Sequence, residues 1–252
     1  MTALTLLTKI ENDGQLKQVS KALQLLLKGL EVEVKVLGAV AGGWVQMSLS
    51  GEDEEIATNY VIKKVGLCPT SFENVKKFST LKGYIQNIGK NELIVDAGVF
   101  QPKTVPATVS LRHLQAELVD GRKLALRKIA ELFGFCQGLP VSVKVKDLDE
   151  EESRLDAELA SKQVRKYVVW RESLLDRLVV LGVALHEVEA TLEHARLDRD
   201  VIDVEPLGLF EHALTCKLGT DAAGLIPKIG RSLKSARFAV FNPKTLRRFL
   251  SA

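Results

Sequence analysis

The chain has 252 residues, 46% hydrophobic and 27% charged, with a net charge of +3. That apolar share, free of low-complexity tracts, excludes global disorder, and no run of about 18 uninterrupted apolar residues is present to make a membrane-spanning helix. Cys68, Cys136 and Cys216 lie too far apart for a zinc knuckle or a disulfide framework, and residues 1–15 lack the basic start and cleavage site of a secretory signal, so a reducing cytoplasm is expected.

The small net charge hides a segregation. Residues 1–75 carry −2, 76–147 carry +6, 148–200 carry −5 and 201–252 carry +4. A polyanion would find its complement in the second and fourth segments.

Residues 2–10 read as a strand. Asn12-Asp13 then offers a helix N-cap, and Leu16, Val19, Leu23, Leu26 and Leu27 follow at helical spacing until Gly29. Residues 31–37 and 44–49 alternate strictly, with Ala41-Gly42-Gly43 between them as a hairpin signal. Gly42-Gly43 is read as that hairpin and not as a phosphate cradle, because no helix starts directly after it. Ser50 is expected to begin a second helix, with carboxylates at Glu52–Glu55 in its first turn. Residues 1–69 thus form a small α+β domain.

Residues 70–80 are a link that brings Lys76, Lys77 and Phe78 to the next region, 76–160. Tyr84–Ile88 leads through Gly89-Lys90-Asn91 into Leu93–Val99, and residues 106–111 supply another strand. Val141, Val143 and Val145 alternate with Ser142, Lys144 and Lys146. After an acidic turn at Asp149–Glu152 the alternation resumes at Leu155, Ala157 and Leu159. Five short strands predict a closed or nearly closed barrel of the OB type. A helical insertion over 112–136 interrupts it. Leu124, Ile129, Leu132 and Phe133 form its apolar stripe, and Arg122, Lys123, Arg127 and Lys128 its basic side, so that it either plugs the barrel end or extends a basic surface.

Residues 161–199 read as a helical bridge. Val164, Val168, Leu174, Leu175, Leu178 and Val179 recur at helical spacing up to Gly182, and a second helix carries Leu185, Val188 and Leu192. The pair could mimic a helix-turn-helix, but its negative charge is wrong for DNA, which favours a structural role. Residues 200–252 hold strands at 201–205, 210–218 and 237–241, a helix within 221–233, and a terminal helix after Asn242-Pro243 with Lys244, Arg247 and Arg248. The fold class is α+β: a small α+β domain, a five-stranded barrel with a helical insertion, a helical bridge and a basic C-terminal α+β module.

The order K-G-x-I-x-x-I-G from Lys82, then L-x-V-D-x-G from Leu93, then G-x-P-V-x-V-K-V-x-x-L-D from Gly138 and R-L-x-A-E-L from Arg154 resembles the S-one RNA-binding domain, an OB-fold module. The resemblance covers about a third of the chain, residues 81–159, and departs from the family in its long insertion. The whole chain also resembles an uncharacterised archaeal family. The S-one resemblance implies RNA contacts near Leu93, Ser110, Asp149 and Arg154. The stacking positions are aliphatic or small here, leaving Phe78, Tyr84 and Phe100 as substitutes, although Tyr84 equally suits the core of the first barrel strand. OB-folds bind single strands by stacking bases on aromatics while a basic groove follows the backbone.

The expected function is therefore non-catalytic binding of single-stranded or structured RNA, within a ribosomal, transcription or RNA-processing assembly. The expected contacts are Lys76, Lys77, Phe78, Lys82, Tyr84, Lys90, Phe100, Arg112, Lys123, Arg127, Lys128 and Arg154. A Gly-rich turn at 218–231 ahead of a basic helix is either a structural turn or a phosphate site, the latter with Lys228, Arg231, Lys234 and Arg237 on the RNA backbone. The alternative is a protein-interaction adaptor using the barrel as a docking platform. A remote third reading is a hydrolase using His212 and Cys216. No serine elbow, H-E-x-x-H or C-x-x-C occurs, so no catalytic residue, cofactor or metal is assigned.

Overall fold

A computed structural model describes residues 2–149, 151 and 154–251. Glu150, Glu152 and Ser153 of the expected acidic turn lie outside the described residues. The chain divides into two compact units, residues 1–75 with 98–104, and 76–97 with 105–252.

In the first unit, β1 (Thr2–Lys9) leads into α1 (Asp13–Leu26). Asn12 caps α1 by accepting from the Gln15 N–H at 3.0 Å, and Gln15 accepts from the Glu11 N–H. Val19, Leu23 and Leu27 lie on one face of the helix and are buried. β2 (Val32–Val40) and β3 (Trp44–Gly51) form the expected hairpin, with Ala41, Gly42 and Gly43 all at positive φ. β3 is the central strand, between β1 and β2, and buries Trp44, Val45, Met47 and Leu49.

The second helix does not begin at Ser50. Ser50 is a rung of the β2–β3 ladder opposite Glu33, and the Asp53 carboxylate is drawn back to the Glu31 N–H at 2.8 Å. The helix, α2, runs Glu54–Lys64 and buries Ala57 and Val61. β4 (Thr70–Ser71) closes this part of the unit.

The barrel begins with β5 (Thr80–Ile88) and β6 (Glu92–Asp96). The chain then returns to the first unit as β7 (Val99–Gln101), which pairs with β4. It re-enters the barrel as β8 (Ala107–Ser110). The insertion is two helices, α3 (Leu111–Leu118) and α4 (Leu126–Phe133). β9 (Pro140–Asp149) and β10 (Arg154–Leu159) complete five strands closed in the order β10-β8-β6-β5-β9. All barrel pairings are antiparallel except β8 with β10, which runs parallel. This is the Greek-key closure of the OB architecture. Ile85, Leu93, Val95, Val109, Val141, Val143, Val145, Leu155 and Ala157 fill it.

Next, α5 (Ser161–Ser173) packs beside the barrel. Of the expected helical bridge 161–199, residues 161–173 and 185–194 are helical, but the stretch between them is not. Leu178 and Val179 lie on β11 (Arg177–Leu181), an inner strand of a four-stranded antiparallel sheet. The remaining elements are α6 (Leu185–His194), β12 (Val201–Pro206), β13 (Glu211–Cys216), α7 (Ala222–Ile229), β14 (Arg237–Phe241) and α8 (Pro243–Ser251). The sheet order is β12-β13-β11-β14, with Leu178, Val180, Val188, Leu214, Leu225 and Ile229 in its core. Phe133 and Phe135 of the insertion, Tyr167 and Trp170 of α5 and Phe241 of β14 form one aromatic cluster, with centroids 5.4–6.3 Å apart. No helix of the described residues is long and apolar enough to cross a membrane.

Gly83 tests the barrel. A Cβ there would sit 2.3 Å from the Asp96 carbonyl oxygen and 2.9 Å from the Ala97 Cα, both backbone atoms of the adjoining chain. Gly83→Ala is expected to destabilise the second unit by at least the ~1–3 kcal/mol typical of overpacking, read as a lower urea midpoint.

Candidate nucleic-acid interface

The barrel strands alternate, so every second residue faces outward. On β9 these are Ser142, Lys144 and Lys146; on β10, Asp156 and Glu158; on β6 and β8, Ile94, Thr108 and Ser110. Leu93 is fully buried in the barrel, which removes it as a contact position. The outer faces of β6, β8 and β10 carry no aromatic side chain, and the cations gather on β9 and on the approach to β5.

That approach centres on Phe78. Its φ is +67°, a left-handed conformation uncommon for a bulky residue, and its side chain is 64% exposed. The conformation is held by the backbone: the Phe78 N–H donates to the Val145 carbonyl and the Val145 N–H to the Ser79 carbonyl, each at 2.9 Å. Lys77 and Lys144 each place an ammonium 5.7 Å from the ring centroid, within cation–π range. Lys77 also donates to Asp147 at 2.9 Å, and this ammonium holds the Asp147 carboxyl below the usual carboxylate range. Both partners are exposed, so the pair is weak.

From Phe78 a polar track crosses the barrel. Lys144 and Lys146 each lie 3.7 Å from a Glu158 carboxylate oxygen. The Lys146 ammonium is 3.1 Å from His113 Nε2, and His113 Nδ1 is 2.9 Å from Ser110 Oγ. An ammonium can only donate, so Nε2 accepts and Nδ1–H donates to the serine hydroxyl. Ser110 caps α3 and also lines a cleft of about 640 Å³ with Asn91, Leu111, Arg112, Gln115, Ala116, Gly121 and Lys123.

Of the expected contacts, Phe78, Lys77, Arg112 and Lys123 lie on this track or in its cleft. Lys76 and Lys82 are exposed beside Phe78 in sequence, and Lys90 is exposed next to Asn91. Arg127 is exposed on α4, whereas Lys128 is paired with Glu131 at 3.0 Å. Arg154 bonds Asp156 at 2.9 Å. Tyr84 is 5% exposed, with its hydroxyl 3.4 Å from the buried Glu211, so it belongs to the core and offers no stacking face. Phe100 sits on β7, which belongs to the first unit and is not a barrel strand. Lys144, Lys146, His113 and Gln115 were missed. The alternation of Ser142, Lys144 and Lys146 was the available signal for the two lysines.

At the Gly-rich turn the start of α7 is already capped by carboxylates. Asp221 caps α7 by accepting from the Ala223 N–H at 3.1 Å, and buried Asp176 accepts from the Ala222 N–H at 3.3 Å. Carboxylates occupy the place a phosphate would take. Lys228, Arg231 and Lys234 remain exposed around it. Arg237 lies over the loop before β9, where a Cβ on Gly138 would come within 2.8 Å of its guanidinium. There it offsets part of the burial that pushes the Cys136 thiol up to about 11.

Three family descriptions match the chain in order: the DUF2110 N-terminal domain over residues 3–71, the DUF2110 central domain over 75–171 and the DUF2110 C-terminal domain over 175–241. No curated protein matches. Among solved structures, an uncharacterized protein from Methanocaldococcus jannaschii is 15% identical, covering 34% of this chain and 95% of that one at a TM-score of 0.25. GSP13 from Bacillus subtilis is 16% identical, covering 35% and 58% at 0.27. The alpha subunit of aIF2 from Pyrococcus abyssi is 11% identical, covering 66% and 96% at 0.28.

His212 and Cys216 do not make a hydrolytic site. Both are buried on β13, the His212 Nε2–H donates to the Val183 carbonyl at 2.9 Å, and burial pushes the Cys216 thiol up to about 11. His212 Nδ1 is buried with no hydrogen-bond partner among the described residues, and burial lowers the pKa of the ring. The unfolded chain therefore takes up a proton that the folded chain refuses. The neutral ring's contribution is complete above the unfolded value of about 6.5 and is lost as pH falls through the lower folded value. Urea melts at pH 7.5 and 5.5 should show stability falling with acid by up to about 1.4 kcal/mol per pH unit from this group, a component absent in His212→Gln.

Proposed function

The chain belongs to the DUF2110 family, and we propose that it binds single-stranded RNA along the outer surface of its barrel, from Phe78 to the cleft beside α3. The observation that carries this reading is the continuity of the track: an exposed aromatic ring flanked by two ammonium groups leads through Lys144, Lys146, His113 and Ser110 to a cleft edged by Arg112 and Lys123. Ring and cations supply the two parts of single-strand binding, a π-face for any base and positive charge for the backbone. The role is that of a non-catalytic accessory factor in translation, transcription or RNA processing. With one exposed ring on the track and cations that contact phosphate, recognition is sequence-tolerant and salt-sensitive.

Fluorescence anisotropy with a single-stranded RNA and a matched duplex tests this at two salt concentrations. The single strand should be preferred. Phe78→Ala should cost the ~1–3 kcal/mol of one stacked base. Lys77→Ala with Lys144→Ala should flatten the salt slope by about 0.7 log units per lost phosphate contact. Lys63→Ala with Lys64→Ala, which removes the same charge from exposed positions on α2, should leave the slope unchanged. Equal loss from both pairs would refute the barrel track, and no binding of either RNA at low salt would point to the adaptor reading.

A further inference from the structure

The cleft at the end of the track differs from another depression in the second unit. That one, about 380 Å³, is lined by Asp120 and Glu172 as well as Arg171 and Arg247, so its charges compensate. The cleft beside α3 is lined by Arg112 and Lys123 and, among the described residues, by no acid. Neither cation has an ion-pair partner among the described residues. Leu111, Ala116 and Gly121 give it apolar lining, and Asn91 and Gln115 add two amides. The Gln115 Nε2 group donates to the Leu124 carbonyl at 2.8 Å, which leaves its Oε1 as an acceptor. The volume, about 640 Å³, falls within the roughly 300–1,000 Å³ of small-molecule pockets and exceeds what one inorganic anion needs.

We infer that this cleft seats one unstacked nucleotide of the bound strand, its base against Leu111, Ala116 and Gly121 and its phosphate between Arg112 and Lys123. The inference rests on the RNA reading above and adds a second subsite to it. Phe78 offers a stacking face, whereas the cleft offers walls, amides and a place for one phosphate. An anion alone would leave the apolar lining unused, and an apolar ligand would leave two cations uncompensated. A nucleotide uses both. Seating it requires no opening of the fold, because Arg112, Ala116, Gly121 and Lys123 are all exposed.

The test uses the full chain and two probes, adenosine 5′-monophosphate and inorganic phosphate, followed by amide NMR shifts, together with anisotropy of a single-stranded RNA decamer. The monophosphate should shift the amides of residues 110–123 saturably and bind at least about tenfold more tightly than inorganic phosphate. Ala116→Trp, at an exposed helix position, should abolish those shifts and weaken decamer binding at least about fivefold, the least that losing one stacked base costs. Phe78→Ala should leave the monophosphate shifts unchanged. Equal affinity for inorganic phosphate would reduce the cleft to an anion site and overturn the inference, as would wild-type decamer affinity in a folded Ala116→Trp protein. Should that variant fail to fold, Arg112→Ala with Lys123→Ala takes its place, and unchanged monophosphate shifts there would overturn the inference. Decamer binding that depends on Phe78 with a silent cleft removes the inference alone. Monophosphate binding without decamer binding removes the RNA reading and leaves the cleft.

Discussion

Three rungs of parallel pairing, Leu155 with Ala107, Asp156 with Thr108 and Ala157 with Val109, close the barrel. The arrangement of the outer surface depends on them. They bring β10 against β8, so that Glu158 and Ser110 lie on neighbouring strands that are far apart in sequence. The antiparallel ladder of β10 with β9 then sets Glu158 opposite Lys144. The link from Lys146 through His113 to Ser110 bridges the same seam. An open sheet would have had the same residues facing outward but no continuous path from Phe78 to the cleft, because β9 and β8 would be separated by β5 and β6.

A second constraint fixes the barrel to the C-terminal sheet within the second unit. The five-ring cluster draws one side from the insertion, one from α5 and one from β14. Such pairs are worth about 0.5–1.5 kcal/mol each beyond the area they bury. Phe133 stands at the end of α4, whose Leu126, Ile129 and Leu132 are also buried, so the insertion's apolar face is committed inward. That commitment turns Arg127 outward and leaves the α3–α4 connection to carry Lys123 at the cleft. The insertion both packs against the body of the unit and edges the basic surface. Arg122 adds a tie of its own, donating to the Phe249 and Leu250 carbonyls at the C-terminal end of α8, where cations are favoured.

The barrel was legible because its strands are half-buried. Val141, Val143 and Val145 point inward and the residues between them outward, which is the period-two signal that separates strand from helix. The same rule explains the failure at 177–181. All five residues of β11 are buried, so no alternation is written there, and a continuous apolar run following a helix is read as more helix. At the site, the basic segment and the cleft's two cations were legible from charge, and Phe78 as an aromatic near the entrance. Its two-ammonium setting was not, because it depends on a left-handed backbone at a residue type that gives no hint of one. Tyr84 and Phe100 show the converse. Both have the right side chain, but strand register sends one into the core and chain path sends the other to the first unit.

Glu158 decides how such a surface can work. It lies within 3.7 Å of two lysines, and a carboxylate in the middle of a phosphate track looks like a defect. The energies argue otherwise. Partly exposed ion pairs are worth about 0–1 kcal/mol, so the carboxylate does little to neutralise its neighbours. Each lysine, however, carries about 2 kcal/mol of rotamer entropy that a bound phosphate would have to remove. A pair that weak removes little of that entropy, so on the proposed reading most of it is lost only when a phosphate binds. On the proposed reading, such a surface would hold a strand modestly and release it readily, with the ring of Phe78 and the cleft setting where the strand would lie.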